Sequence, residues 1–157
     1  MRHVLLLSAF VVLAGTADAQ VYQGLQELNG GGAFTSFDGG SIFTLSASYG
    51  YFVTRSVELG PTLQVTRSDA GSFSTTSGVV GGFGHLHFGG RRSRSVPFLG
   101  LEIGAAVGDA EGVLFGVVGG GKFFVAEGAA LTPAAFFQFD DNGNSQFGAR
   151  AGVSAFF

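Results

Sequence analysis

The sequence contains no cysteine, no tryptophan and few charged residues, which make up 12% of its 157 positions. The absence of cysteine excludes disulfide bonds, thiol redox chemistry and cysteine-ligated metal sites. It also excludes a lipoprotein, in which a lipid is attached to a cysteine directly after the signal peptide. A soluble domain carries about 25% charged residues, so the low charge indicates that much of the surface faces something other than water. The net charge of −3 is too small to indicate nucleic acid as a partner.

The chain begins with the features of a cleavable export signal. Arg2 supplies positive charge, Val4–Ala14 is mostly apolar, and Ala17–Ala19 matches a small-x-small cleavage pattern. We therefore expect a signal peptide over residues 1–19 and one mature domain over residues 20–157. The mature part has no run of about 20 apolar residues, which excludes a membrane-spanning helix.

The mature sequence is rich in alternating polarity, glycine and phenylalanine. It divides into runs of about ten residues bounded by Gly, Asp, Asn or Ser, which is typical of membrane barrel strands. Backbone groups must be paired internally in lipid, so a closed barrel remains once the helix is excluded. We predict an all-β, eight-stranded antiparallel up-and-down transmembrane barrel. The predicted strands are Glu27–Phe37, Ile42–Val53, Val57–Arg67, Gly78–Phe88, Val96–Val107, Val113–Val125, Ala129–Phe139 and Gln146–Phe157.

Alternation also predicts which side chains face lipid and which face the lumen. In the last run Phe147 and Val153 fall on the apolar face, and Arg150 falls on the other. The second face holds Gly, Ser, Thr and single charges, which disfavours a soluble lipocalin-type barrel with an apolar ligand cavity. We expect the glycine runs Gly30–Gly32 and Gly119–Gly121 to permit strong bending or close packing of a large neighbour. Pro61 cannot donate to a ladder, so we expect a bulge or irregular pairing at that position.

Three segments join the signal in carrying a family resemblance: the hairpin Gly50–Gly60, the strand Val96–Gly104 and the aromatic end Phe156–Phe157. With them the chain resembles the small outer-membrane β-barrel superfamily, the OmpA/OmpX-like group. The resemblance implies a monomer in the outer membrane of a diderm bacterium, reached through the periplasm. Its partners would be outer-membrane lipids and the barrel-assembly machinery, which would read Phe156 and Phe157 at the end of the last strand.

The resemblance also implies an N-terminus in the periplasm and longer connections outside. The predicted outer loops are Asp38–Ser41, Ser68–Ser77, Gly108–Gly112 and Asp140–Ser145. The predicted periplasmic turns are Thr54–Ser56, Gly89–Ser95 and Ala126–Gly128.

The predicted lumen carries the residues that most suggest chemistry, namely Glu27, Glu58, Glu102, Lys122, Arg150, His85 and His87. Enclosed charges are costly unless paired, so we expect ion pairs that plug a narrow lumen, as in the family. The alternative is a gate in which Arg150 exchanges between Glu58 and Glu102. His85 and His87 share one side of a strand and could bind a metal with a third ligand. Hydrogen bonds to carboxylates are the favoured interpretation, and pH sensing is a further alternative.

These residues leave three classes of function. A structural, envelope-integrity or surface-interaction role leads, a narrow gated ion channel or small porin is second, and a lipid-modifying enzyme is third. The enzyme is disfavoured because the histidines have no adjacent serine and Ser72–Ser77 lies in a predicted loop without histidine. Asp140–Asn144 lacks the later glutamate of an EF-hand loop and is an ordinary turn sequence. We therefore expect no catalytic residue, cofactor or metal.

Overall fold

The computed structural model describes residues 21–37, 40–70, 72–89, 93–108 and 112–157. Each strand pairs antiparallel with the next, and β1 pairs with β8 to close a barrel. The eight strands are β1 Gln26–Phe37, β2 Gly40–Phe52, β3 Val57–Ala70, β4 Phe73–His87, β5 Ser95–Gly108, β6 Gly112–Ala126, β7 Ala129–Asp140 and β8 Ser145–Phe156. The described residues include no helix long and apolar enough to cross a bilayer. The predicted eight-stranded up-and-down barrel is confirmed, and the predicted signal lies outside the described residues.

The barrel has two ends, which we name the terminal end and the far end. The terminal end holds the start of β1 and the end of β8, with the connections 53–56, 88–94 and 127–128. The far end holds the connections 38–39, 71–72, 109–111 and 141–144. The longest connection, 88–94, is at the terminal end and overlaps the predicted turn Gly89–Ser95, whereas every far-end connection is shorter than the outer loop predicted there.

The hairpin of β3 and β4 extends well beyond its predicted length. Most of the predicted loop Ser68–Ser77 is strand, and Asp69 pairs with Ser74 within it. Outward apolar residues on β3 end at Val65, and Arg67 takes the next outward position. Apolar alternation reports which solvent the outer face meets, whereas the hydrogen-bonded ladder continues past the lipid. The strands predicted from apolar alternation, Val57–Arg67 and Gly78–Phe88, are therefore too short at the far end.

Pro61 and Pro133 each interrupt the pairing with one of their two neighbouring strands, because proline has no backbone N–H to donate. The pairing of β2 with β3 omits Pro61 and the residue before it, then resumes in the same register. The pairing of β6 with β7 omits Pro133 and resumes in the same way. The predicted irregular pairing at Pro61 is thus present without a bulge. The register shift of this barrel lies instead between Phe124 and Ala126 in β6.

The outer face forms an apolar belt. Leu101 and Phe147 are 67% and 78% exposed. On β5 the outward apolar positions run from Pro97 to Val107, which is about 34 Å along the strand at ~3.4 Å per residue. At a strand tilt of ~40° the belt is roughly 26 Å tall, close to the ~25 Å apolar band of membrane barrels. With no tryptophan in the chain, exposed tyrosines mark the terminal edge of the belt: Tyr22, Tyr49 and Tyr51.

Lumen-facing glycines make room for large side chains of neighbouring strands. A Cβ atom on Gly50 would overlap the carboxylate of Glu58, and one on Gly100 would overlap the ring of His85. Other glycines face large partners in the same way: Gly116 faces Gln138, Gly120 faces Phe98, Gly148 faces Phe136 and Gly152 faces Asn29. At these positions glycine leaves space for a large neighbour, which explains how a narrow barrel encloses so many long side chains.

The seam between β1 and β8 has a shorter ladder than the sequential hairpins. It joins six residue pairs, from Glu27 with Phe156 to Gly32 with Ala151. The hairpin of β1 and β2 joins twelve. Backbone hydrogen bonds between Gln26 and Phe157, both 3.1 Å long, extend the seam at the terminal end.

Candidate functional site in the charged lumen

The structure places all seven predicted lumen residues inside the barrel, because each lies on the inward phase of its strand. They come from β1, β3, β4, β5, β6 and β8. The terminal layer, nearest the terminal end, consists of Glu27, Glu58, His87 and Lys122. The middle layer, deeper in the barrel, consists of Glu102 and Arg150. His85 lies between the two layers.

Lys122 is the centre of the terminal layer. Its side chain is fully enclosed, with the residue only 1% exposed. Its ammonium group donates hydrogen bonds to Glu27 and, at 2.8 Å, to Oε2 of Glu58. The same group lies 5.1–5.9 Å from three phenyl ring centres, those of Phe52, Phe98 and Phe156. Carboxylates and ring faces both attract a cation, so the surroundings of this side chain suit an ammonium group.

One carboxylate oxygen of Glu58 collects several partners. Oε2 lies 2.8 Å from Nε2 of His87 and 2.8 Å from Nζ of Lys122. It also lies 3.6 Å from Nδ1 of His85. This convergence follows from the register of β3 and β4, in which Glu58 is directly opposite His85.

The middle layer is an ion pair across the lumen. Arg150 on β8 donates to both carboxylate oxygens of Glu102 on β5, with the Nη1 to Oε2 distance being 3.2 Å. These strands are not neighbours, so the pair bridges separate parts of the wall. A bidentate guanidinium–carboxylate pair fixes geometry as well as charge. Glu58, the other partner in the predicted exchange, is bonded to Lys122 and His87 instead.

The two imidazoles are enclosed and only partly satisfied. Among the described residues, both ring nitrogens of His85 and Nδ1 of His87 have no hydrogen-bond partner. The predicted hydrogen bond to a carboxylate forms for His87, whereas Nε2 of His85 is 3.9 Å from Glu102. Phenyl rings pack on both imidazoles, with Phe83 4.3 Å from His85 and Phe52 5.0 Å from His87 between ring centres.

Cavities lie on both sides of the middle layer. One of about 40 Å³ is bounded by the terminal layer, Glu102 and Arg150. A larger one of about 290 Å³ extends toward the far end, and Gln64, Gln138 and Arg150 line it. Arg150 lines both cavities. Its ion pair with Glu102 therefore lies between the small cavity on the terminal side and the larger cavity on the far side.

The remaining sequence candidates lie outside the lumen cluster. Phe156 packs on Phe124 with ring centres 5.1 Å apart, and Phe157 is exposed at the terminal end. Their predicted role as an assembly signal stays a prediction. Oδ1 of Asp140 accepts hydrogen bonds from the backbone N–H groups of Asn142 and Asn144, at 3.0 and 2.7 Å. Such bonds stabilise an ordinary turn.

Sequence reasoning found these side chains but missed that Glu58 adjoins both histidines. The contact could have been predicted from the length of the β3–β4 hairpin, because its two-residue connection, 71–72, sets Glu58 opposite His85. A predicted ten-residue loop over Ser68–Ser77 left that register undetermined.

Several solved structures share this architecture. The chain is similar to Neisserial surface protein A (NspA), with a TM-score of 0.60 and 19% identity, covering 83% of this chain and 94% of that one. It is also similar to the N-terminal β-barrel domain of Pseudomonas aeruginosa OprF, with a TM-score of 0.59, 18% identity and coverage of 86% and 98%. A de novo designed transmembrane β-barrel gives a TM-score of 0.57 at 11% identity, with coverage of 88% and 99%.

No protein-family model and no curated protein matches the sequence. The shared architecture nevertheless defines the class: the chain has the fold of the small eight-stranded outer-membrane β-barrels, as the OmpA/OmpX-like resemblance implied.

Proposed function

We propose that the mature chain resides as a monomer in the outer membrane of a diderm bacterium and has a structural role there, with a lumen closed to ions. The observation that carries this proposal is the division of the side chains between an apolar belt outside and two layers of paired charge inside. A belt of roughly 26 Å, derived from ~3.4 Å per residue and a ~40° tilt, is suited to hydrocarbon.

The two charged layers support a closed lumen. A permeating ion has to separate Glu102 from Arg150 and then pass Lys122 with its two carboxylates. Breaking one buried ion pair costs about 3–5 kcal/mol when a charge is left uncompensated. Two such layers in series form a plug that stabilises the barrel and blocks transport.

The short far-end connections favour an envelope-integrity role over adhesion. They comprise 38–39, 71–72, 109–111 and 141–144, so few residues beyond the strand ladders are available to a large external partner. We propose that lipids of the outer membrane are the main partners of the folded protein. The barrel-assembly machinery is the proposed partner during insertion, with Phe156 and Phe157 at the end of the strand it reads.

We propose no enzymatic activity for this chain. A hydrolase needs a nucleophile within reach of a base. The described contacts of His85 and His87 are to carboxylates and aromatic rings in the lumen, away from the lipid that a membrane enzyme would modify.

A narrow gated channel is the second candidate, because one observation favours it. The cavities of about 40 and 290 Å³ both border Arg150. A change of its partner would therefore connect them, and opening of the terminal layer would complete a path.

Fractionation and conductance together test the proposal. Cells expressing the chain are separated into membrane fractions, and the outer-membrane fraction should contain a heat-modifiable band. Planar-bilayer recordings are then made on the wild type, Glu102→Gln and Arg150→Gln, with Ser46→Ala as an uncharged lumen control. We expect silence from all four, because the terminal layer still blocks each of them. Ion currents in the two charge variants, with silence in the control, would establish the channel instead.

A further inference from the structure

Three potential metal ligands meet at one point of the lumen, between β3 and β4. His85 and His87 project from alternate positions of β4, and Glu58 lies opposite them on β3. One ligand atom from each of the three residues lies within 4.8 Å of the other two. We propose that Glu58, His85 and His87 form a binding site for one divalent transition-metal cation of the Zn²⁺ class.

Imidazole nitrogens that lack a hydrogen bond favour this site. The side chains of His85 and His87 are 11% and 1% exposed, and three of their four ring nitrogens lack a hydrogen-bond partner within the described part of the chain. Buried polar atoms are normally paired, and a metal ion would satisfy one nitrogen of each ring. Two imidazoles with one carboxylate are a ligand set that suits Zn²⁺, whereas Mg²⁺ and Ca²⁺ prefer oxygen ligands alone.

The charge of the enclosed lumen also favours a cation. Its carboxyl groups are Glu27, Glu58 and Glu102, and its basic side chains apart from the histidines are Lys122 and Arg150. Three acidic side chains therefore face two basic ones around the proposed site. An uncompensated charge in such a space is costly, so a positively charged guest is stabilised. A bound metal supplies that charge and also engages the open ring nitrogens.

Lys122 is the natural competitor of the metal, because its ammonium group bonds to Oε2 of Glu58. It does not depend on that bond alone, since Glu27 and the surrounding phenyl rings hold it as well. Glu58 can therefore give up the lysine and stay beside the histidines, while the lysine keeps Glu27. Removing the lysine should raise metal affinity, whereas removing either histidine should lower it. A barrel with only a structural charge cluster would show neither effect.

The test uses the full mature barrel, folded in detergent and prepared without a histidine tag. The chain contains three histidines, and His3 lies in the predicted signal, so His85 and His87 are the imidazoles of the mature protein. Zn²⁺ is titrated by calorimetry, with Mg²⁺ and Ca²⁺ as hard-ion controls, and X-ray absorption identifies the ligands. We expect one Zn²⁺ per barrel with imidazole in its coordination shell and no comparable uptake of the two control ions.

Matched variants separate a built site from surface binding. His85→Gln and His87→Gln should each weaken Zn²⁺ binding by at least ~10–100-fold, because loss of even an outer partner of a metal ligand has that effect. Ser46→Ala, which alters an uncharged lumen side chain outside the ligand set, should retain binding, and Lys122→Met should strengthen it. Gel mobility verifies that each variant is folded.

Two results overturn the proposal. One is undiminished Zn²⁺ binding after both histidines are replaced. The other is absence of Zn²⁺ uptake by the wild type, with NMR showing a protonated imidazole that supplies the missing positive charge. The wild-type measurement decides the question even where a variant fails to fold. Conductance plays no part in it, so the outcome is independent of whether the lumen is closed.

Discussion

Removal of the Lys122 ammonium group gives the strongest test of the charged lumen. Lys122→Met keeps an unbranched apolar stem among the phenyl rings but leaves Glu27 and Glu58, which are 3% and 1% exposed, without their shared cation. Loss of one partner from a buried ion pair typically destabilises a protein by about 3–5 kcal/mol. We expect a loss of that size in the free energy of unfolding.

A second substitution should restore much of this loss. Lys122→Met combined with Glu27→Gln removes the uncompensated carboxylate, while Glu58 keeps its hydrogen bond from His87 at 2.8 Å. Neutral replacements of whole buried ion pairs are often tolerated without loss of stability. The double variant should therefore recover at least half of the stability lost by the single variant.

The assay is reversible unfolding in urea with lipid vesicles, followed by circular dichroism and by gel mobility. Arg67→Met is the matched control, because it also deletes a cation from an ion pair, but from the exposed pair with Asp69. Exposed pairs contribute ~0–1 kcal/mol. Equal losses in Lys122→Met and Arg67→Met would show that burial of the ion pairs does not set the cost of losing the cation. A double variant no more stable than the single one would contradict the role of the uncompensated carboxylate.

Three further predictions concern the wall and the chain end. Gly50→Ala should cost about 1–3 kcal/mol by crowding the carboxylate beside it, measured in the same unfolding assay, whereas Gly30→Ala, with open space at its Cβ, should be nearly neutral. Leu101→Arg near the middle of the belt should cost ~2–4 kcal/mol in vesicles, against ~0–1 for Ser74→Arg beyond the belt, and equal costs would contradict the proposed position in lipid. Phe157→Ser should lower the amount of barrel in outer-membrane fractions while the refolded protein keeps its stability; a parallel loss of stability would remove the evidence for an assembly signal.

The strands and their faces could be predicted because an apolar outer face requires an apolar residue at every second position of a strand. Phe147 and Val153 were assigned outward, and Arg150 inward, on that basis alone. Strand length beyond the lipid could not be predicted this way, because Ser74 and its neighbours pair in water without an apolar signal. The β3–β4 ladder shows that hydrogen bonding and hydropathy end at different residues.

Partner choice among the lumen charges could be narrowed but not decided from the sequence, which left Glu58 and Glu102 as alternative partners of Arg150. Arg150 meets Glu102 only because closure brings β5 and β8 to face each other. Lys122 bonds to Glu27 on β1 and Glu58 on β3 for the same reason. These contacts depend on the circumference of the barrel and on the stagger between strands, which no local pattern encodes.

The short seam between β1 and β8 has a consequence for the order of folding. Every other strand pair joins neighbours along the chain, whereas this seam joins the two ends of the domain through only six residue pairs. Closing so long a segment loses more chain entropy than closing a hairpin, for fewer hydrogen bonds in return. The hairpins should therefore form first and the pairing of β1 with β8 last. The same seam should be the first strand pair to separate when the barrel unfolds.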